Sequence, residues 1–324
     1  PNKSNGLVGR LSRLVYQYDN ALFSACQLGD IEKVKYLIEK GASVDAHGKD
    51  YYSRYPAISI LIIKTPPHWA AIFRVLVEAG AKYEHVLGVA TIESTADVLD
   101  AMFKVLDSFQ PPRQFSKTYL TGSLIDAIRK ADLKKIELLL SHGADISGNH
   151  LRPLHYAVSL LKIDIVKYLI EKGANVLEKS QLDRYYTDTT PKRVKEYSLE
   201  KSATWMAALW VTRPSVKDSL KILKLLLDHG ADPNEDGLMA RIAAQGHLDV
   251  AKALVKYGAH PKTEDLRAGR EFRGREGNNT SEALEQPTYK YLSNIVFADE
   301  ERRRSEKSKA RAQRRAEKRL AANG

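Results

Sequence analysis

Nine histidines are the first side chains to test for chemistry, since neutral imidazole can ligate a metal and move protons near neutral pH. They do not gather into a constellation. His142 and His229 each stand before a Gly-Ala pair, His155 follows Pro153 and Leu154, and His247 sits in a Gly-His-Leu-Asp segment. His260, Asp232 and Asp249 show no spacing that catalysis would require. The chain has no His-Glu-x-x-His, no phosphate-cradling glycine loop and no Gly-x-Ser-x-Gly elbow. Cys26 is the single cysteine, so no intramolecular disulfide can form, and an intracellular, reducing setting (cytoplasm or nucleus) is expected. Cys26 itself reads as a small packed residue rather than a nucleophile. The expectation is a non-enzyme with no catalytic residue, no metal ligand and no cofactor.

Residues suited to binding are easier to find. Of the sixteen tyrosines, Tyr51, Tyr52, Tyr55, Tyr185, Tyr186 and Tyr197 fall in stretches of turn composition, with Arg184 beside one pair. Exposed Tyr beside Arg is a composition of interface hot spots, where one contact can be worth about 2 kcal/mol or more. The competing reading is that these rings pack their own loops down. Tyr156 and Trp205 sit near the starts of helical segments, and Trp205 equally suits a core position. Charge points elsewhere. The chain carries a net +11, and Asp299 to Leu320 holds ten basic residues against five acidic ones. The ten are Arg302, Arg303, Arg304, Lys307, Lys309, Arg311, Arg314, Arg315, Lys318 and Arg319. Such a run can bind nucleic acid, address a chain to the nucleus, or simply solvate a helix held by pairs such as Glu300–Arg304 and Glu317–Arg314.

The elements that must carry these residues repeat. Val34-Lys35-Tyr36-Leu37-Ile38-Glu39-Lys40-Gly41-Ala42 returns as Phe73 to Ala81, Ile136 to Ala144, Val166 to Ala174, Leu223 to Ala231 and Val250 to Ala259. Apolar residues at i, i+3 and i+4 make one buried helix face. The glycine marks a stop in the left-handed region, which costs other residues about 1 kcal/mol. The glycines stand at 41, 80, 143, 173, 230 and 258. A period near 33 accounts for them if Val86 to Phe109 is a degenerate copy, in which Ser108-Phe109 replaces Gly-Ala. It also needs about 24 inserted residues between Gly173 and Gly230 and about six between Gly41 and Gly80.

This pattern resembles the ankyrin repeat, a turn followed by two antiparallel helices. Arg152-Pro153-Leu154-His155-Tyr156-Ala157 matches the family's Thr-Pro-Leu-His-x-Ala start, with Arg152 in place of Thr. Asp164 to Val176 continues it closely, and Gly29-Asp30 and Gly246-His247-Leu248-Asp249 match the mid-repeat turn. The resemblance covers about residues 20–262 and implies an all-α ankyrin-repeat solenoid of about seven diverged repeats. It further implies a concave surface of first helices and projecting turns that binds protein partners.

Around that domain, residues 1–19 read as a capping helix with Leu7, Leu11, Leu14, Val15 and Tyr18 on one face. An insertion at 177–201 falls at a projecting turn. The smaller excess is expected at Lys64 to Trp69. Residues 263–287 have linker composition, and 288–324 form a basic C-terminal helix or tail. Ala57 to Ile63, the most apolar run, is far short of the roughly 20 residues that span a bilayer. Pro1 to Asn5 offers no apolar signal core, and Pro1 is not an initiator Met, as in a fragment or a processed chain. The reading is a monomeric protein-interaction scaffold or adaptor. The alternative is a nucleic-acid or ribonucleoprotein component that uses the basic tail.

Overall fold

The structure is a computed structural model that describes residues 18–45, 55–148, 152–181, 200–209, 216–275 and 286–322. It divides into two compact units, Pro1–Tyr156 and Ala157–Gly324.

The first unit is built from helix pairs. They are α1 (residues 18–28) with α2 (Ile31–Glu39), α3 (Ala57–Lys64) with α4 (Trp69–Glu78), α5 (Val86–Glu93) with α6 (Ala96–Asp107), and α7 (Lys117–Lys130) with α8 (Leu133–Ser141). The first helices α3, α5 and α7 lie side by side, and so do the second helices α2, α4, α6 and α8. Each second helix is amphipathic. In α4 the buried residues are Ile72, Phe73, Leu76 and Val77, and in α6 they are Leu99, Met102, Phe103 and Leu106, both sets at helical spacing. α3 is buried from Ala57 through Ile62. A first helix packs against neighbours on either side as well as its own partner, which accounts for the unbroken apolar run.

The Gly-Ala signature has a physical cause. Gly41 donates its N–H to the Ile38 carbonyl at 2.9 Å, and Ala42 donates to Leu37 at 3.0 Å. Those two bonds close a Schellman motif, which requires the left-handed φ of +86° found at Gly41. Ala42 is buried, giving the motif its apolar contact. The same pair of bonds recurs at Gly80-Ala81, Gly143-Ala144 and, in the second unit, Gly173-Ala174, Gly230-Ala231 and Gly258-Ala259. The degenerate copy ends differently. Ser108 caps α6 with φ −75°, and its hydroxyl donates to the Val105 carbonyl at 2.6 Å. Phe109 is buried, with two guanidinium groups close to its ring, Arg74 at 4.9 Å and Arg113 at 5.0 Å from the ring centre. Two cation–π contacts therefore hold the end of the copy that lacks the Gly-Ala pair.

One length expectation is corrected. The α3–α4 connection is Thr65 to His68, four residues against two at Gly29-Asp30, with Thr65 and His68 both left-handed. Most of the excess lies instead between α2 and α3, in 40–56, the stretch that carries Tyr51, Tyr52 and Tyr55.

α9 (Pro153–Ser159) spans the boundary between the units. The second unit continues with α10 (Ile163–Glu171), β1 (Lys179–Gln181), β2 (Glu200–Ser202), α11 (Ala203–Leu209), α12 (Val216–Asp228), α13 (Leu238–Gln245) and α14 (Leu248–Lys256). Two further helices close it, α15 (Thr263–Arg275) and α16 (Pro287–Ala322). Seven repeat-like pairs thus run from 18 to 256, including the degenerate copy. The expectation of a linker over 263–287 does not hold for α15, which packs along α13 as a first helix would. Their approach is close: a Cβ on Gly269 would lie 2.9 Å from the Ala240 carbonyl oxygen and 3.1 Å from the Ala243 Cβ. The start of α16 takes the second-helix place beside α14. Residues 1–17 of the expected cap lie outside the described residues, while Tyr18 and Asp19 open α1.

Candidate partner-binding surface

The long insertion starts and ends on a two-stranded antiparallel stem. Lys179 pairs with Ser202, Ser180 with Lys201 and Gln181 with Glu200. The stem is tied to the following turn by a buried polar clamp. Glu235, 7% exposed, accepts from the Ser202 N–H at 3.2 Å and from the Ser202 hydroxyl. The Ser202 hydroxyl oxygen accepts in turn from the Trp205 N–H at 3.2 Å, which caps the first turn of α11. Lys201 donates to the Asp236 carbonyl at 2.9 Å, and its ammonium lies 5.0 Å from the Trp205 ring centre. A buried carboxylate is tolerable only when hydrogen-bonded, and here two donors from one strand serve it. The base of the insertion is thereby fixed to the next repeat. Sequence reading missed Lys201, Ser202 and Glu235. The available signal was a Glu inside the polar turn Asn234-Glu235-Asp236, which composition alone marks as solvent-exposed.

The residues singled out for binding separate into three groups. Tyr51, Tyr52, Arg184, Tyr185, Tyr186 and Tyr197 lie outside the described residues. Tyr55 and Tyr156 are half-buried, so each keeps an accessible edge. Trp205 is 4% exposed, beneath the Lys201 side chain, which removes its ring from any accessible surface and makes it core. In the tail, Arg302, Arg303, Arg304, Lys307, Lys309, Arg311, Arg314 and Arg315 are exposed; the side chains of Lys318 and Arg319 lie outside the description. Glu300 pairs with Arg304 at 3.6 Å as expected, whereas Glu317 accepts from Gln313 at 3.3 Å rather than pairing with Arg314.

The titratable groups have structural surroundings. The His142 ring stacks on Phe103 with centres 3.7 Å apart, and its Nδ1 lies 2.8 Å from the Leu138 carbonyl. His229 makes the matching contact with Leu225 at 2.8 Å, so a His before Gly-Ala tethers the helix end. His155 is buried at the start of α9. Burial pushes the Cys26 thiol up to about 12, far from the thiolate that a nucleophile needs. A cavity of about 300 Å³ is lined by Phe103, Asp107, Arg113, Phe115 and His142. Among the described residues no group of three or more His, Cys, Asp or Glu could hold a metal ion. No helix among them is long and apolar enough to cross a membrane.

Stacked helix pairs closed by Schellman turns are the geometry of the family suggested by the sequence, and the family comparison agrees. Residues 116–180 match the model for ankyrin repeats (3 copies), and residues 17–49 match the single ankyrin repeat. The chain carries ankyrin repeats over these residues. It is similar to a putative ankyrin repeat protein of Acanthamoeba polyphaga mimivirus, 32% identical over 107 residues, covering 32% of this chain and 34% of that one. A second relative is the ankyrin repeat, SAM and basic leucine zipper domain-containing protein 1 of Dasypus novemcinctus, 27% identical over 169 residues, 50% of this chain and 30% of that protein. The chain thus spans about a third of the length of these curated relatives. Among solved structures, the ankyrin repeat domain of Bcl-3 matches with a TM-score of 0.49 at 22% identity, covering 66% of this chain and 87% of that one. Ankyrin repeats are in general protein–protein interaction modules, and the ankyrin-repeat fold belongs to a family known for non-catalytic binding.

Proposed function

We propose that this chain is a non-catalytic scaffold or adaptor that recognises protein partners through the first-helix face and the projecting turns of its repeats. The observation that carries the reading is the clamped stem. Lys201, Ser202 and Glu235 hold both ends of a segment bearing Arg184, Tyr185, Tyr186 and Tyr197, so the segment leaves the repeats at one fixed place. A fixed base limits the chain entropy that an inserted loop must lose on binding. Tyr55 and Tyr156 add partly accessible rings on the first unit. The chain acts as a monomer in this reading, and the buried, unreactive Cys26 suits a reducing cytoplasm or nucleus.

The test compares partner recovery by the wild-type chain and by a variant with Tyr51, Tyr52, Tyr185 and Tyr186 all changed to Ala, using extracts of the native source. Removal of two or more hot-spot rings is expected to weaken capture at least about tenfold, with the melting temperature unchanged. Unchanged recovery would exclude this surface as the recognition site.

A further inference from the structure

α16 is two structures in one helix. Its first part is docked: Thr288, Leu292 and Val296, spaced by four, are buried, and the helix packs on α13, α14 and α15. Among the described residues the last tether is the Thr263 hydroxyl donating to Glu300 at 2.7 Å. From Glu301 to Arg315 every residue is exposed. A helix of that length is marginal in water without tertiary support, so the docked part serves as its nucleus.

The exposed part has one basic face. At about 100° per residue, Arg303, Lys307, Arg311, Arg314 and Arg315 fall within an arc of roughly 120°. No acidic residue between 302 and 315 lies on that arc, since Glu306 projects about 60° beyond its edge. Arg302 and Arg304 are engaged by Asp299 at 3.5 Å and Glu300 at 3.6 Å, whereas the five make no ion pair among the described residues. The stripe runs about 18 Å along the helix.

The geometry points to a phosphate-binding arm: the stripe of Arg303, Lys307, Arg311, Arg314 and Arg315 binds the backbone of a nucleic-acid duplex. Other occupants fit worse. From Ala298 to Arg315 no apolar residue is larger than alanine. A membrane-surface helix needs a large apolar face, and a coiled-coil partner needs apolar residues at a and d. Single-strand binding leans on aromatic rings that stack on bases, and the segment has none. A bare helix about 10–12 Å across matches a major groove about 12 Å wide. Because these five basic residues occupy one arc, they face one phosphate wall and leave the groove floor unread. Binding is therefore independent of sequence. This arm is separate from the repeat surface proposed above, and either can fail alone.

Fluorescence anisotropy on the full chain tests it, with a DNA duplex and an RNA duplex of about 20 base pairs, the matching single strand, and a polyglutamate peptide of equal charge. Five phosphate contacts give a log–log salt slope of about −4.5, so duplex affinity should fall about 500-fold between 50 and 200 mM salt. Arg311→Gln with Arg315→Gln should weaken duplex binding roughly 50-fold at 100 mM salt and flatten the slope by about 2. Arg302→Gln with Lys309→Gln, off the stripe, should change affinity by less than about threefold. Tighter binding to one duplex assigns the arm to DNA or to RNA. Absence of binding to both duplexes at 50 mM salt, equal losses from the two variant pairs, or polyglutamate binding as tight as the duplex would each overturn the proposal.

Discussion

Lys135 shows how one side chain can serve the packing of two repeats. Its ammonium, on a side chain 5% exposed, donates to the Thr91 carbonyl at 2.7 Å and the Ser94 carbonyl at 2.6 Å, at the end of α5. Those carbonyls have no partner within their own helix, and a cation suits the negative helix end. Burial holds the amine below its usual range, partly offset by Asp132. Lys135→Met keeps the stem and removes the donors, so one buried and one half-buried acceptor lose their bonds. A loss of about 1–3 kcal/mol is expected in urea unfolding, and an unchanged midpoint would show that water replaces the ammonium. His247 offers a pH test. Burial depresses its imidazole below the ordinary 6.5, and it precedes the positive end of α14. The unfolded chain therefore binds the extra proton first, and this group's contribution to stability falls as pH drops below 6.5 towards its folded value. His247→Gln should lose less melting temperature between about pH 7 and 5 than wild type does. Parallel curves would remove His247 from the acid response. At this scale the sequence was a mixed guide. Regular positions such as His142 and His229 were legible as structural because the repeat frames them. Trp205 was ambiguous because a Trp at a helix start suits a groove or a core, and only the Lys201 stem above it decides. The Ser202–Glu235 bond joins residues 33 apart, and no local pattern encodes it.

Elements were more legible than residues, and the exceptions share a cause. The Gly-Ala signature announces a Schellman stop, so even the copy with Ser108-Phe109 was found from the spacing of its apolar residues. α15 was not, because its close approach to α13 at Gly269 is made by small groups. Gly269 lies against the Ala240 carbonyl and the Ala243 methyl, which produces close packing without an apolar stripe in the sequence. The glycines themselves divide into two kinds that substitution should separate. Gly143 has φ +94° and open space where a Cβ would sit, so Gly143→Ala should cost only the backbone strain of about 1 kcal/mol. Gly29 has φ +77°, and a Cβ there would lie 2.3 Å from the Pro67 carbonyl oxygen in the next mid-repeat turn. Gly29→Ala should therefore cost about 1–3 kcal/mol more. Equal shifts in the urea midpoint would mean that the two turns are not in contact in solution.

For the whole molecule, the regular repeats form the frame, and what distinguishes this chain is attached to it at fixed points: an insertion on a clamped stem and a basic helix on a docked root. Repeat arrays gain stability from each repeat and its neighbours, so such attachments can be added without disturbing a distant core. That arrangement suits recognition rather than chemistry. Photo-crosslinking tests it most directly. A benzophenone amino acid is placed at Tyr186 in the insertion, or at Tyr36, 55% exposed on α2, as a control, and the chain is irradiated in extracts of its native source. A discrete protein adduct is expected at Tyr186, absent at Tyr36 and lost when Glu235→Ala releases the stem. Adducts of equal yield at both positions, or none at Tyr186, would contradict it.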